Sequence, residues 1–137
     1  MNNDNIITAY RQWLESYQWN LFLTLNYRYK KSYETAKIDI SKIIKTARSF
    51  NYAIEQYNYF GFIVNSPYKI NHVHYVINFL PYMGKKKLKY IIDNLKISNI
   101  VSCNLIEIYD IKGLSSYMTK NWNFSYGELI TNMKEGM

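Results

Sequence analysis

Apolar and polar positions change period several times along this chain, and each change marks an element. Residues 5–17 place Ile6, Tyr10, Trp13, Leu14 and Tyr17 at helical spacing, which predicts an amphipathic helix. WNLFLTLNY, residues 19–27, alternates instead. Leu21, Leu23 and Leu25 share one side, and Phe22, Thr24 and Asn26 share the other. That is a strand with one apolar face and one mixed face. Residues 33–48 return to the helical period through Tyr33, Ala36, Ile40, Ile43, Ile44 and Ala47. A second strand is expected from Tyr57 to Asn65, ending in a turn at Ser66-Pro67-Tyr68-Lys69. In INHVHYVINFL, residues 70–80, Val73, Tyr75, Ile77 and Phe79 point one way. His72, His74, Val76 and Asn78 point the other. Gly84 opens a third helix whose stripe is Leu88, Ile91, Ile92 and Leu95. A fourth strand is expected over 99–109, and Leu114 to Trp122 reads as helical. The last dozen residues read as a further short helix or a loose tail.

The order after the first helix is therefore β-α-β-β-α-β-α. Two βαβ-type halves of this kind build an α+β, ferredoxin-like antiparallel sheet, the RRM-like arrangement, with helices on one face. The covered face would receive the Leu21/Leu23/Leu25 and Val73/Tyr75/Ile77 sets. The opposite face would carry Thr24, Asn26, His72 and His74, and any chemistry is expected there. No Ser/Gly-rich linker or repeat interrupts the chain, so residues 1–137 are read as one domain.

Charge adds a partner to this picture. Lys plus Arg number 17 against 10 Asp plus Glu, a formal charge of +7, which concentrates polyanions around a small domain. Arg28, Lys30 and Lys31 follow the first strand, and Lys85, Lys86, Lys87 and Lys89 crowd the start of the third helix. Both groups are candidates for phosphate contacts, with a solvated loop or helix end as the plain alternative. Exposed members of the fifteen tyrosines would suit stacking on single-stranded bases. Cys103 is the single cysteine and forms no internal disulfide. No apolar run approaches the roughly 18 residues that span a bilayer. The polar start MNNDN does not resemble a secretion signal, so no membrane association and a cytoplasmic location are expected.

The chemistry-bearing residues are few. Both histidines of the chain, His72 and His74, lie two apart on one strand, so both imidazoles fall on one side, close enough to share a divalent cation. Two ordinary half-buried histidines would look the same in isolation. In GLSSYMTKNW, Tyr117 and Lys120 are i and i+3 and share a helical face. A phenol titrates near pH 10, and a neighbouring ammonium favours the phenolate or stabilises charge on a phosphate. Zinc clusters are excluded by the single cysteine and the lack of further histidines. No GxxxxGK[ST] loop, nucleophile elbow or dinucleotide fingerprint occurs.

Taken in order, Phe22-Leu23-Thr24-Leu25-Asn26, His72-Val73-His74 and Tyr117 to Lys120 resemble the three motifs of HUH-superfamily single-strand DNA endonucleases. The nearest likeness is to rolling-circle replication initiators (Rep type) with one catalytic tyrosine, over about residues 19–122. The resemblance implies that His72 and His74 hold Mg²⁺ or Mn²⁺, which acts as a Lewis acid on the scissile phosphate. It implies Tyr117 as nucleophile, forming a 5′-phosphotyrosine and releasing a 3′-hydroxyl, with Lys120 as electrostatic helper. Many such initiators add a Glu from the strand before the histidines. Here that stretch, YFGFIVN, has no carboxylate, and Glu55 comes earlier. The third ligand is expected to be Asn121, one turn after Tyr117 as in related single-strand transposases, with Asn65 at the strand's end as the second choice. The expected function is nicking and joining of single-stranded DNA at an origin or hairpin, starting rolling-circle replication of a small plasmid or virus. Without a helicase module, host replication proteins or a helicase would supply unwinding. Single-strand transposition and a non-catalytic RRM-like nucleic-acid-binding module are the alternatives, and a homodimer is left open.

Overall fold

The structure, a computed structural model, describes residues 3–29, 32–50, 55–64, 71–97, 99–114 and 129–132. In chain order the elements are α1 (Asn3–Glu15), β1 (Leu21–Tyr27), α2 (Tyr33–Phe50), β2 (Gln56–Val64), β3 (Asn71–Leu80), α3 (Lys85–Asn94), β4 (Ile100–Glu107) and β5 (Leu129–Thr131). The strands form one sheet in the order β4-β1-β3-β2-β5, and every neighbouring pair is antiparallel. From β1 to β4 this is the expected β-α-β-β-α-β, ferredoxin-like α+β fold.

Period-two alternation on the two central strands builds the core. Leu21, Leu23 and Leu25 of β1 and Val73, Tyr75, Ile77 and Phe79 of β3 are all fully buried. They pack under Ala36, Ile40, Ile43, Ile44 and Ala47 of α2 and Leu88, Ile91 and Ile92 of α3. α2 begins where Ser32 offers Oγ to the Thr35 backbone N–H at 3.3 Å, satisfying one of the donors a helix start leaves open. Gly84, at φ 92°, turns the chain into α3 through a conformation that side-chain-bearing residues rarely adopt.

A buried polar bond ties sheet to helix. The Tyr27 hydroxyl donates to Asp39 Oδ2 at 2.9 Å, with Tyr27 fully buried and Asp39 nearly so. Burial, then the Asp39 charge, pushes the Tyr27 phenol far above its ordinary range, so it stays a donor. Tyr27→Phe deprives the carboxylate of this donor and is expected to cost about 1–3 kcal/mol. In urea unfolding this appears as a lower midpoint at unchanged slope. An unshifted midpoint would show the bond to be dispensable.

Two expectations are corrected. Helices do not lie on one face only, because α1 packs across the histidine-bearing face. Leu14 and Trp19 close over Phe22, Phe60 and Val76, with Tyr10, Trp13 and Tyr17 at the margin. The apolar members of the mixed face need cover, and the aromatic stripe of α1 provides it; Trp19 Nε1 donates to Leu14 O at 2.8 Å and closes the end of the helix. The last dozen residues contain neither only helix nor only tail, since Leu129–Thr131 forms β5 on the outer edge of β2. Three residues are too few to show a period in sequence. Side chains at the strand's C-terminal end hold it: Asn132 Oδ1 accepts from Tyr59 N at 2.8 Å, and Thr131 Oγ1 donates to Tyr59 O at 2.7 Å.

Candidate active site

Register brings two of the three motifs face to face. β1 and β3 pair so that Thr24 lies opposite His74 and Asn26 opposite His72. On the other side of β1, Asn104 and Ser102 of β4 oppose the same two residues. The result is a polar patch beside the apolar cluster under α1. Asn26 Nδ2 donates to Ser102 Oγ at 2.9 Å, fixing that amide along the sheet.

The two imidazoles stand 4.6 Å apart between ring centroids, with planes at 63°. Two imidazoles binding one cation at right angles and ~2.1 Å would place their centroids about 4.5 Å apart, so the spacing suits a shared metal ion. The His74 ring stacks on Phe22 at 5.3 Å and 19°, and its Nδ1 lies 2.9 Å from Thr24 Oγ1. In the tautomer protonated at Nδ1, His74 donates to Thr24, and Nε2 is then the unprotonated ring nitrogen, the form that ligates a cation. Thr24 is thereby an orienting residue, a role that face assignment in the sequence did not supply. Its signal was present in the FLTLN strand, which the pairing sets against the histidines.

Burial decides the charge of His74. It is 5% exposed, and desolvation, then the neighbouring His72, lowers its pKa to about 3. The imidazole is therefore neutral at physiological pH, the form a metal requires. The unfolded chain takes up this proton near pH 6.5 while the folded chain resists it down to about pH 3. Stability is thus retained above pH 6.5 and lost as pH falls through that window, by at most ~1.4 kcal/mol per pH unit. Urea midpoints of the metal-free chain measured from pH 7 to 4 should fall, and in His74→Gln they should fall less. Parallel slopes in the two proteins would remove His74 as the cause.

The other expected site residues divide into three groups. Arg28 is exposed just past β1, at the histidine end of the sheet, where its N–H donates to Asn99 O at 2.8 Å. Lys85, Lys86, Lys87 and Lys89 belong to α3, which packs on the other face of the sheet; Lys89 Nζ pairs with Asp93 Oδ1 at 3.0 Å. Tyr117, Lys120, Asn121, Asn65, Lys30 and Lys31 lie outside the described residues. Glu55 precedes β2 beside the Gln56–Leu80 pair, while His72 opposes Val64. Eight residues of strand, ~26 Å, therefore separate that carboxylate from the imidazoles. Among the described residues no cluster of three or more His, Cys, Asp or Glu side chains forms a metal site. A cation here would need at least one further oxygen donor. Among the described residues, too, no helix is long and apolar enough to cross a membrane.

Comparison with known proteins adds no relative: no family model, curated protein or solved structure matches this chain.

Proposed function

We propose that this chain is a metal-dependent nickase and strand transferase for single-stranded DNA, of HUH type. The observation that carries the reading is the pairing of the Thr24/Asn26 strand with the His72/His74 strand on one face. There a buried, neutral imidazole is oriented by a threonine and stands beside a second imidazole. A further support is covalent reach. Residues 111–114 are helical, and Ile111 and Leu114 pack against the cluster that holds Phe22, the ring stacked on His74. Only three peptide units, at most ~11 Å, lie between Leu114 and Tyr117.

In this reading His72 and His74, with Asn121 or Asn65, would hold Mg²⁺ or Mn²⁺, which would supply Lewis-acid stabilisation of charge on the scissile phosphate. Thr24 keeps His74 in the ligating tautomer. Tyr117 Oη gives up its proton and attacks phosphorus in line, the bond to the 3′ oxygen breaks, and that oxygen leaves as a 3′-hydroxyl. The 5′ end remains as a phosphotyrosine ester, and attack by another 3′-hydroxyl reverses the step and joins strands. Lys120 stabilises the phenolate or the phosphate charge. A replication origin of a small plasmid or virus is the favoured substrate, and a transposon-end hairpin is the neighbouring one.

The RRM-like alternative needs exposed rings on the sheet. Phe22 and Phe60 are 5% and 1% exposed beneath α1, so neither is free to stack a base. The deciding experiment mixes the protein with end-labelled single-stranded oligonucleotides carrying random or hairpin sequences, with Mn²⁺, on a denaturing gel. A covalent band abolished by EDTA, whose digest carries nucleotide on the Tyr117 peptide, supports the enzyme. Binding without any such band across the pool refutes it.

A further inference from the structure

On the side of the sheet away from the histidines, α2 and α3 carry a surface that nicking does not use. A cavity of about 330 Å³ opens there, lined by Phe50, Lys86, Lys87, Tyr90 and Ile91. Phe50 is 65% exposed and Tyr90 61%, with their rings 6.5 Å apart at 80°. Two large rings left in water contribute little to the core. The first turn of α3 is Lys85-Lys86-Lys87 with no acid, which sets positive charge at the positive end of the helix dipole. That arrangement disfavours the helix. Neither feature serves the fold, and they share one cavity whose lining has no carboxylate. A separate groove on the β2 and β5 flank of α2 repeats the chemistry: Lys45 lines it, and the Arg48 guanidinium lies 4.9 Å from the Tyr57 ring centre.

Flat exposed rings among unopposed cations match a ligand with accessible base faces and a phosphate backbone. We propose that this α2–α3 surface binds single-stranded nucleic acid, with bases stacking on Phe50 and Tyr90 while Lys86 and Lys87 meet phosphates. A duplex keeps its base faces stacked inward and gains only the charge contacts. A second copy of the chain would bring the same lysines against these and is disfavoured by repulsion. The inference stands apart from the nicking chemistry, since it involves neither His72, His74 nor Tyr117.

Fluorescence anisotropy with a labelled oligothymidine of about 15 nucleotides tests it on the full chain, with EDTA present so that metal chemistry is silent. The Phe50→Ala/Tyr90→Ala double variant should bind about tenfold or more weakly, whereas Tyr90→Phe should bind like the parent. An abasic strand of equal length should bind the parent about as weakly as oligothymidine binds the double variant. Lys86→Gln with Lys87→Gln should reduce the slope of log affinity against log salt by about 1.4. Lys86→Glu should weaken binding and yet raise the thermal midpoint, because it relieves the dipole mismatch. Unchanged affinity in the aromatic double variant, with folding verified by circular dichroism, overturns the proposal. So does an abasic strand that binds the parent as tightly as oligothymidine. Loss of a dimer in sedimentation, without loss of DNA affinity, would assign the patch to a second copy instead. A covalent Tyr117 adduct with no effect of the patch variants would leave the nickase standing and remove only this surface.

Discussion

Tyr117→Phe is expected to abolish the covalent DNA adduct and lower nicking by about 10³-fold or more, while single-strand affinity changes by no more than about twofold. The substitution removes one oxygen and keeps the ring, so shape and charge elsewhere are preserved. No other tyrosine should substitute, because in-line attack demands a hydroxyl held within a few tenths of an ångström of its place beside the phosphate. Tyr27 and Tyr75 lie on the opposite face of the sheet, buried, with phenols pushed well above their ordinary range. Such phenols do not ionise near neutrality. Tyr10 and Tyr17 are on the histidine side but pack within the α1 cluster. The measurement is a denaturing gel and a nicking time course with Mn²⁺. An adduct of normal yield in the Phe variant would reassign the nucleophile, and the proposed role of Tyr117 would be lost. His72→Ala and His74→Ala should lose the adduct too, together with Mn²⁺ affinity, which Tyr117→Phe should retain.

Gly61→Ala is expected to destabilise the fold by about 3 kcal/mol, at the upper end of what one added methyl costs in a packed interior. Gly61 opposes Tyr75 across the β2–β3 pair. A methyl group there would fall within 3.0 Å of two Tyr75 ring carbons and of the His74 carbonyl oxygen. Neither neighbour yields easily. Tyr75 is fully buried, with its hydroxyl 3.4 Å from Ala36 O, and the carbonyl belongs to the strand itself. For a chain of 137 residues the thermal midpoint should drop by roughly 10 °C. Because the displaced carbonyl is that of His74, Mn²⁺ affinity should weaken in the protein that remains folded. A midpoint within two or three degrees of the parent would mean that the strand pair relaxes freely, and the close packing of Tyr75 on Gly61 would be refuted.

Much of this arrangement was legible in the sequence because two-residue alternation is a strong signal on buried central strands. Leu21, Leu23 and Leu25 and then Val73, Tyr75, Ile77 and Phe79 announced both the strands and the face that covers them. The same parity put His72, His74, Thr24 and Asn26 together on the other face. Lysine placement was less legible. Lys85, Lys86 and Lys87 are conspicuous as a run, but a run does not say which side of a sheet its helix will cover.

What the linear order determined, then, is period: which segments are strands or helices, and which side chains share a face. Those properties depend on the local geometry of a few residues, and they persist wherever the segment packs. Only the folded sheet decided the pairing of Thr24 with His74, the closure of α1 over Phe22 and Val76, and the capture of Leu129–Thr131 by the edge of β2. Thr24 and His74 are 50 positions apart, Leu14 and Val76 are 62, and Phe60 and Thr131 are 71. Those outcomes follow from competition among surfaces for burial and for hydrogen-bond partners, which no local window contains.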